Sequence, residues 1–242
     1  MELDGKVVLV IGGATGIGRA TAALCAKRGA QVIIADFSDE QGHESAALCA
    51  GTYLHVNVTD EPSVKALLAT VAERYGKLDA LIQTAGVLKG AYVPLEEFSL
   101  ETWKNVLDVN TTGSFICARE AATLMKKSGK GVIVLLSSGA ATGGSSSFAY
   151  GTSKGGVSSL GIVLANALAP HNIRVNVVAP GNINTAMKVS VIAADVERRG
   201  NMVDLEQAVA ESNLGEPEGV ARILAWLVSD EADYVRGLVN TR

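Results

Sequence analysis

Two serines, a tyrosine and a lysine carry the strongest chemical hint in this chain: Ser137 and Ser138, then Tyr150 and Lys154. A phenol is a poor base near neutrality, since its ordinary pKa is about 10. Tyr150 and Lys154 are four residues apart, so a helix projects both side chains from one face. A lysine cation held there favours the phenolate and draws the tyrosine pKa down towards the working range. Ser138, leaving a strand just upstream, offers a hydroxyl to a carbonyl or alcohol oxygen. The same residues also read as an ordinary helix start with a buried tyrosine and a snorkelling lysine. The elements that must position them decide between the two.

The chain has 242 residues, 48% of them hydrophobic and 19% charged, which suits one α/β domain, 1–242, with a large core. A net charge of −4 argues against nucleic acid or an anionic membrane as the main partner. No apolar stretch approaches the ~18 residues of a membrane span. The start, Met1-Glu2-Leu3-Asp4-Gly5, has neither the basic region nor the apolar run of a signal peptide. Cys25, Cys49 and Cys117 are widely spaced in predicted helices and read as core hydrophobes of a reducing, cytoplasmic compartment. His43, His55 and His171 are isolated, without metal-ligand spacing, so no metal is expected.

Short β-branched apolar runs alternate with amphipathic segments of helical period. The runs are 6–12, 31–36, 52–58, 78–83, 131–137 and 173–179. Each is apolar almost throughout, as parallel strands covered on both faces are. The alternation predicts right-handed crossovers and a doubly wound parallel sheet, a Rossmann-like three-layer sandwich. Ligands of such sheets bind at the carboxyl ends of the strands, and the remaining motifs fall there.

Gly12-Gly13-Ala14-Thr15-Gly16-Ile17-Gly18 follows the first strand and opens a helix. Glycines there allow a tight turn, and backbone N–H groups at a helix start attract a pyrophosphate. The second strand ends in Asp36, whose carboxylate can accept hydrogen bonds from both hydroxyls of an adenosine ribose. It would repel a 2′-phosphate, and neither Phe37 nor Ser38 offers a compensating cation, which predicts NAD rather than NADP. Ser38-x-x-Gln41 resembles a capping box and accounts for the next helix start, leaving Asp36 free. Asn57-Val58 and Ala85-Gly86 close the third and fourth strands; each is also compatible with plain turn chemistry.

A long helical pattern over 99–127 is interrupted by Asn110-Thr111-Thr112-Gly113, four poor helix formers in a row. Such breaks mark functional or strained sites, or a kink that wraps the helix round the sheet. The segment 155–169 is almost uncharged and apolar on nearly every face, so the sheet covers one side and a second subunit, in a tetramer or dimer, covers the rest unless one chain buries it all. Pro180-Gly181 gives a rigid exit from the sixth strand. A lid is expected at 187–214, with Gly200 as a hinge, and a helix from Glu216-Pro217-Glu218 to about residue 229.

Taken together these residues resemble the short-chain dehydrogenase/reductase family over essentially the whole chain, in its ordinary Tyr-xxx-Lys branch. The resemblance implies hydride transfer between a nicotinamide and an alcohol or carbonyl carbon. It makes Tyr150 the general acid/base, Lys154 the residue that tunes Tyr150 and binds the nicotinamide ribose, and Ser138 the group that orients the substrate oxygen. Asn110 would hold a water linking Lys154 to solvent. The implied cofactor contacts are Gly12, Thr15, Gly16, Ile17 and Gly18, then Asp36 and Phe37, Asn57 and Val58, Ala85 and Gly86, Tyr150 and Lys154, and Pro180, Gly181, Ile183 and Thr185. The enoyl reductase branch spaces its tyrosine and lysine further apart, which counts against that activity.

The chain departs from the family pattern at Ile11, where threonine is usual, at Asn57 for aspartate, and at Gln83-Thr84 for an Asn-Asn pair. Asn57 still has an amide oxygen to accept at the adenine, and the Gln83-Thr84 change should touch stability at most. The loop from Ser138 to Tyr150 is one residue short, so Ser137 is a fallback for the serine role. The sequence ends at Arg242, before the Asp-Gly-Gly usual after the last strand. The expectation is an NAD-dependent enzyme that interconverts a small-molecule secondary alcohol and a ketone as a homo-oligomer. The alternatives are an NADPH-dependent 3-oxoacyl-type ketoreductase and a non-catalytic nucleotide-binding regulator. The substrate pocket is expected from 87–93, 139–148 and the lid, with Leu88, Tyr92, Phe148 and Met187 as its apolar part and serines 145–147 as its polar part.

Overall fold

The apolar runs pair as parallel strands: β1 (Val7–Ile11), β2 (Gln31–Asp36), β3 (Thr52–His55), β4 (Ala80–Gln83), β5 (Gly131–Leu136), β6 (Ile173–Ala179) and β7 (Gly237–Asn240). They form one sheet in the order β3-β2-β1-β4-β5-β6-β7, parallel at every pairing. The structure is a computed structural model and describes residues 3–200 and 203–241. Asn201 and Met202, inside the expected lid, and Arg242 at the chain end lie outside the described residues.

Nine helices of the described residues accompany the strands: α1 (Gly16–Lys27), α2 (Asp39–Leu48), α3 (Glu61–Tyr75), α4 (Leu100–Leu107), α5 (Gly113–Ser128), α6 (Phe148–Leu168), α7 (Ala186–Arg198), α8 (Leu205–Glu211) and α9 (Pro217–Leu227). Alternation along each strand sorts the core into two layers. Val7, Leu9, Ile11, Leu81, Ile133 and Val177 face α3, α5 and α6. Val8, Val10, Ile34, Ile82, Val132 and Val134 face α1, α2 and α9. Both faces of the central strands are thus covered, which is why they read as unbroken apolar runs. No helix of the described residues is long and apolar enough to cross a membrane.

Apart from one- or two-residue differences at the ends of β1, β4 and β5, the strands depart from the expected runs at the third and the last. The third run stops at His55 rather than 58, because the Asn57 side chain accepts hydrogen bonds from Thr59 N–H (3.0 Å) and Thr59 Oγ1 (2.8 Å) and turns the backbone out of the sheet. The seventh strand is absent from the six continuous runs because it is an edge strand, alternately half-buried and exposed from Gly237 to Asn240.

Chain reversal falls between β1 and β4: β2 and β3 lie to one side of β1, and β4 to β7 to the other. The carboxyl ends of β1 and β4 therefore open a crevice. Thr84 closes its floor, its hydroxyl donating to the carbonyls of Ile11 (2.8 Å) and Gly12 (3.1 Å). Gln83 beside it is buried, with neither amide atom hydrogen-bonded among the described residues. Of this pair it is Thr84 that ties the end of β4 to the first glycine turn.

Candidate active site

The crevice widens into a cleft of about 930 Å³. Every residue expected at the cofactor, from Gly12 through Asp36, Asn57, Ala85 and Lys154 to Thr185, lines it, and so do Ser138 and Tyr150. Asn110 does not, because it is completely buried behind the wall.

At the first glycine turn the reasons are steric as well as conformational. Gly12 has φ +82°, and a Cβ on it would lie 2.3 Å from the Ala85 nitrogen; one on Gly18 would lie 2.1 Å from the Gly12 carbonyl oxygen. The start of α1 can approach the sheet only without those side chains. Thr15 occupies the N-cap of α1 but makes no side-chain cap, and the first turn has no acidic residue. By contrast Asp60, Ser99, Ser147, Thr185 and Asp204 cap α3, α4, α6, α7 and α8. The first N–H groups of α1 are left for an anion, and a dinucleotide pyrophosphate fits that cradle.

Asp36 is held in place by two backbone donors: Ala14 N–H to Oδ2 (3.0 Å) and Ser38 N–H to Oδ1 (3.1 Å). Each carboxylate oxygen keeps a lone pair, and Phe37 beside it is 68% exposed and carries no charge. Ser38 is the N-cap of α2, as expected, but makes no side-chain cap bond to the backbone; its hydroxyl donates to Gln41 Oε1 instead (2.8 Å). The expectation for Asn57 also changes: its amide oxygen is engaged by Thr59, which leaves Nδ2 as the side-chain group without a hydrogen bond among the described residues.

The interruption in the long helix is a π-helical turn, Asp108–Thr112, between α4 and α5. The wider turn swings Asn110 inward. Its amide then serves as a brace: Oδ1 accepts from Val87 N–H (2.8 Å), and Nδ2 donates to the Val87 carbonyl (2.9 Å) and to Ser153 Oγ (2.9 Å). Its backbone carbonyl accepts Ser114 Oγ (2.6 Å). Both Nδ2 hydrogens are spent on Val87 and Ser153, so the side chain is a brace for the backbone beside the cleft.

Ser147 caps α6, accepting from Tyr150 N–H (3.3 Å), and donates its hydroxyl to the Lys89 carbonyl (2.7 Å). This starts the helix at the right residue to bring Tyr150 and Lys154 to the cleft. Lys154 Nζ lies 5.7 Å from the Tyr150 ring centroid and donates to the Leu136 carbonyl (2.8 Å). Burial pushes the Lys154 ammonium down to about 8. Burial also raises the Tyr150 phenol above its ordinary value, against a smaller pull downward from its hydrogen bond with Ser138. The phenol is thus raised where a lowering by Lys154 is expected: burial is the larger effect, and the opposing pull comes from Ser138.

The two serines separate cleanly. Ser137 is buried, donating to the Lys154 carbonyl (2.8 Å) and sharing a hydrogen bond with Ser158 Oγ (2.7 Å). Ser138 faces Tyr150 and takes a hydrogen bond from Ala140 N–H (3.2 Å). Ser137 supports α6, and Ser138 is the serine that stands beside the Tyr150 phenol.

Three expected pocket residues lie elsewhere, Ser147 being the buried cap of α6. Phe148, the first residue of α6, turns towards α4 and meets Phe98 edge-on at 5.6 Å. Tyr92, in left-handed backbone (φ +61°), is stacked under the Arg198 guanidinium of α7 at 5.0 Å. The expected apolar lining thus reduces to Leu88 and Met187, joined by Val191. The Val87 brace and the Tyr92–Arg198 contact were not visible in the sequence, since both join residues far apart in it.

A family model described as enoyl-(acyl carrier protein) reductase matches residues 12–240. The chain is 38% identical over 239 residues to cis-4-hydroxycyclohexanecarboxylate dehydrogenase of Sinomonas cyclohexanicum, covering 97% of this chain and 93% of that protein. It is 36% identical to the 3-oxoacyl-[acyl-carrier-protein] reductase of Thermotoga maritima, covering 99% of this chain and 96% of that one. The solved structure of levodione reductase superposes with a TM-score of 0.91 at 28% identity, over 98% of this chain and 96% of that one. The sheet order, the cradle at α1, the Tyr150–Lys154 pair and a match that runs nearly end to end agree: the chain belongs to the short-chain dehydrogenase/reductase family of oxidoreductases.

Proposed function

We propose that this oxidoreductase interconverts a cyclic secondary alcohol and its ketone using NAD. The convergence of Ser138, Tyr150 and Lys154 in the cleft that also holds Asp36 carries this reading. The Sinomonas relative bears a name that refers to a ring compound, which favours a cyclic substrate. The nicotinamide, when bound, supplies the hydride acceptor for the alcohol or the hydride donor for the ketone. Gly12, Gly16, Gly18 and Thr15 would hold the pyrophosphate, Asp36 the adenosine ribose, and Ile183 and Thr185 the carboxamide. Ser138 orients the substrate oxygen by a hydroxyl hydrogen bond. Tyr150 gives its phenolic proton to the ketone oxygen, or removes the alcohol proton in the reverse direction. Lys154, below the ring, favours the phenolate and can pass the proton on towards the Asn110 backbone. Of the expected lid, α7 borders the cleft through Met187, Lys188 and Val191 and would act as the cover.

The Thermotoga relative supports a second reading, reduction of a 3-oxoacyl group. Asp36, with its negative charge where a 2′-phosphate would sit, favours the first. The test follows absorbance of NADH while cyclic alcohols and ketones are supplied in turn. Turnover by the wild type and none by Lys154→Ala is the expected result; no change with any of them would favour a nucleotide-binding regulator instead.

Assembly belongs to the same proposal. Gly161 lets α6 lie directly on β6, where a Cβ would come within 2.0 Å of Val177 Cγ2. The opposite side of α6 presents Ile162 and Val163, 49% and 60% exposed, and α5 presents Phe115. A second copy of the chain would cover this apolar side, giving a dimer or tetramer. Light scattering should then report an oligomer for the wild type and a monomer for Val163→Glu. The three cysteines are unpaired thiols, which suits the cytoplasm.

A further inference from the structure

The charge lining the cleft runs against the charge of the chain. Asp and Glu outnumber Lys and Arg by 25 to 21 overall. The cleft nevertheless carries three lysines, Lys89, Lys154 and Lys188, against a single carboxylate, Asp36. Asp36 stands at the end of β2, and Lys154 is buried beneath Tyr150. Lys89 and Lys188 remain, and no acidic side chain lines the substrate half with them.

Both are placed by their backbones. The Lys89 carbonyl accepts Ser147 Oγ (2.7 Å), which ties it to the start of the helix bearing Tyr150. Three residues earlier, Gly86 lies so close to the centre that a Cβ there would be 3.3 Å from Lys154 Nζ. Lys188 N–H donates to Thr185 Oγ1 (3.3 Å) in the first turn of α7. A helix start repels cations, and α7 has no acidic residue in its first turn to compensate. A lysine there breaks a local rule, and such breaks concentrate at functional sites. Among the described residues neither ammonium has an ion-pair or hydrogen-bond partner. Two unpaired cations beside a desolvated redox centre attract an anion into it.

We propose that Lys89 and Lys188 bind a carboxylate on the substrate, so that the enzyme acts on a hydroxy acid and its keto acid in preference to a neutral alcohol. The two ammonium groups offer one donor to each carboxylate oxygen and fix which ring carbon faces Tyr150 and Ser138. The proposal rests on the reading of this site as an alcohol–ketone redox centre.

The experiment uses 4-oxocyclohexanecarboxylate and its methyl ester, which differ in that one charge. Calorimetric titration into the NAD-saturated protein reads binding without turnover, and NADH consumption reads turnover. The acid should bind more tightly than the ester, and Lys89→Met and Lys188→Met should each weaken acid binding by about 10–100-fold, the loss of a charge-assisted hydrogen bond. Ester binding and NADH binding should stay as they are. Equal binding of acid and ester, or an acid affinity indifferent to both substitutions, would overturn the proposal while leaving ketone reduction intact. Weakened NADH binding in Lys188→Met would assign that lysine to the pyrophosphate and overturn it too. Acid binding that needs both lysines, without any turnover, would uphold the anion site and sink the redox reading instead.

Discussion

Replacement of Tyr150 by phenylalanine is expected to lower kcat/KM by about 10²–10⁴-fold, the usual worth of a positioned acid–base group. The ring stays, so its packing above Lys154 stays, and NADH affinity should change far less than turnover. The phenol is buried and held above its ordinary pKa, so at neutral pH it carries its proton. Ketone reduction needs the protonated phenol and should hold steady through neutrality, then fall as pH rises through the phenol pKa. Alcohol oxidation needs the phenolate and should climb over the same range. In Tyr150→Phe both pH limbs should disappear together, an outcome that a purely structural role for Tyr150 does not produce. Near-full turnover in the variant would remove Tyr150 from the chemistry.

Cofactor choice is the second large effect. With a carboxylate fixed by Ala14 and Ser38 and no cation at Phe37 or Ser38, the 2′-phosphate of NADPH meets uncompensated negative charge. Fluorescence titration should therefore give NADH binding at least tenfold tighter than NADPH, about 1.4 kcal/mol. In Asp36→Ala the ratio should collapse towards one, chiefly through weaker NADH binding as the ribose hydroxyls lose their acceptor. Thermal unfolding of the free variant controls for the lost bonds to Ala14 and Ser38. Tighter NADPH binding by the wild type would reject Asp36 as the reader of the ribose and move the chemistry towards 3-oxoacyl reduction.

What could be read from the sequence follows the range of the forces involved. The central strands were legible because burial on both faces writes a continuous apolar run, as in β5 and β6. The glycine turn and the Tyr150–Lys154 pair were legible because their geometry is set within one turn of backbone. The break at Asn110 was visible as a run of poor helix formers, but its partner Val87, 23 positions away, was not. Side-chain direction was the least legible. Phe148 lies among the expected pocket residues yet turns to Phe98, because the first turn of α6 points it at α4. Asn57 kept an acceptor on paper and spends it on Thr59, two residues along. The balance between burial and the Ser138 hydrogen bond at Tyr150 depends on how much water the whole fold excludes, which no local motif records.

The π-helical turn also acts as a phase joint. An α-helix advances each residue by about 100°, so the extra residue in a π turn shifts everything beyond it by about that angle. The faces of α4 and α5 are therefore offset by that angle from those of an unbroken helix, and with this offset α5 keeps Cys117, Ala121 and Met125 on the core. A single-residue deletion at 108–112 would restore an uninterrupted α-helix and rotate one of those faces out of place. A single-residue insertion elsewhere in the helix would have no such joint to absorb it. The region's tolerance to length change is therefore asymmetric, set by the same wide turn that delivers Asn110 to Val87.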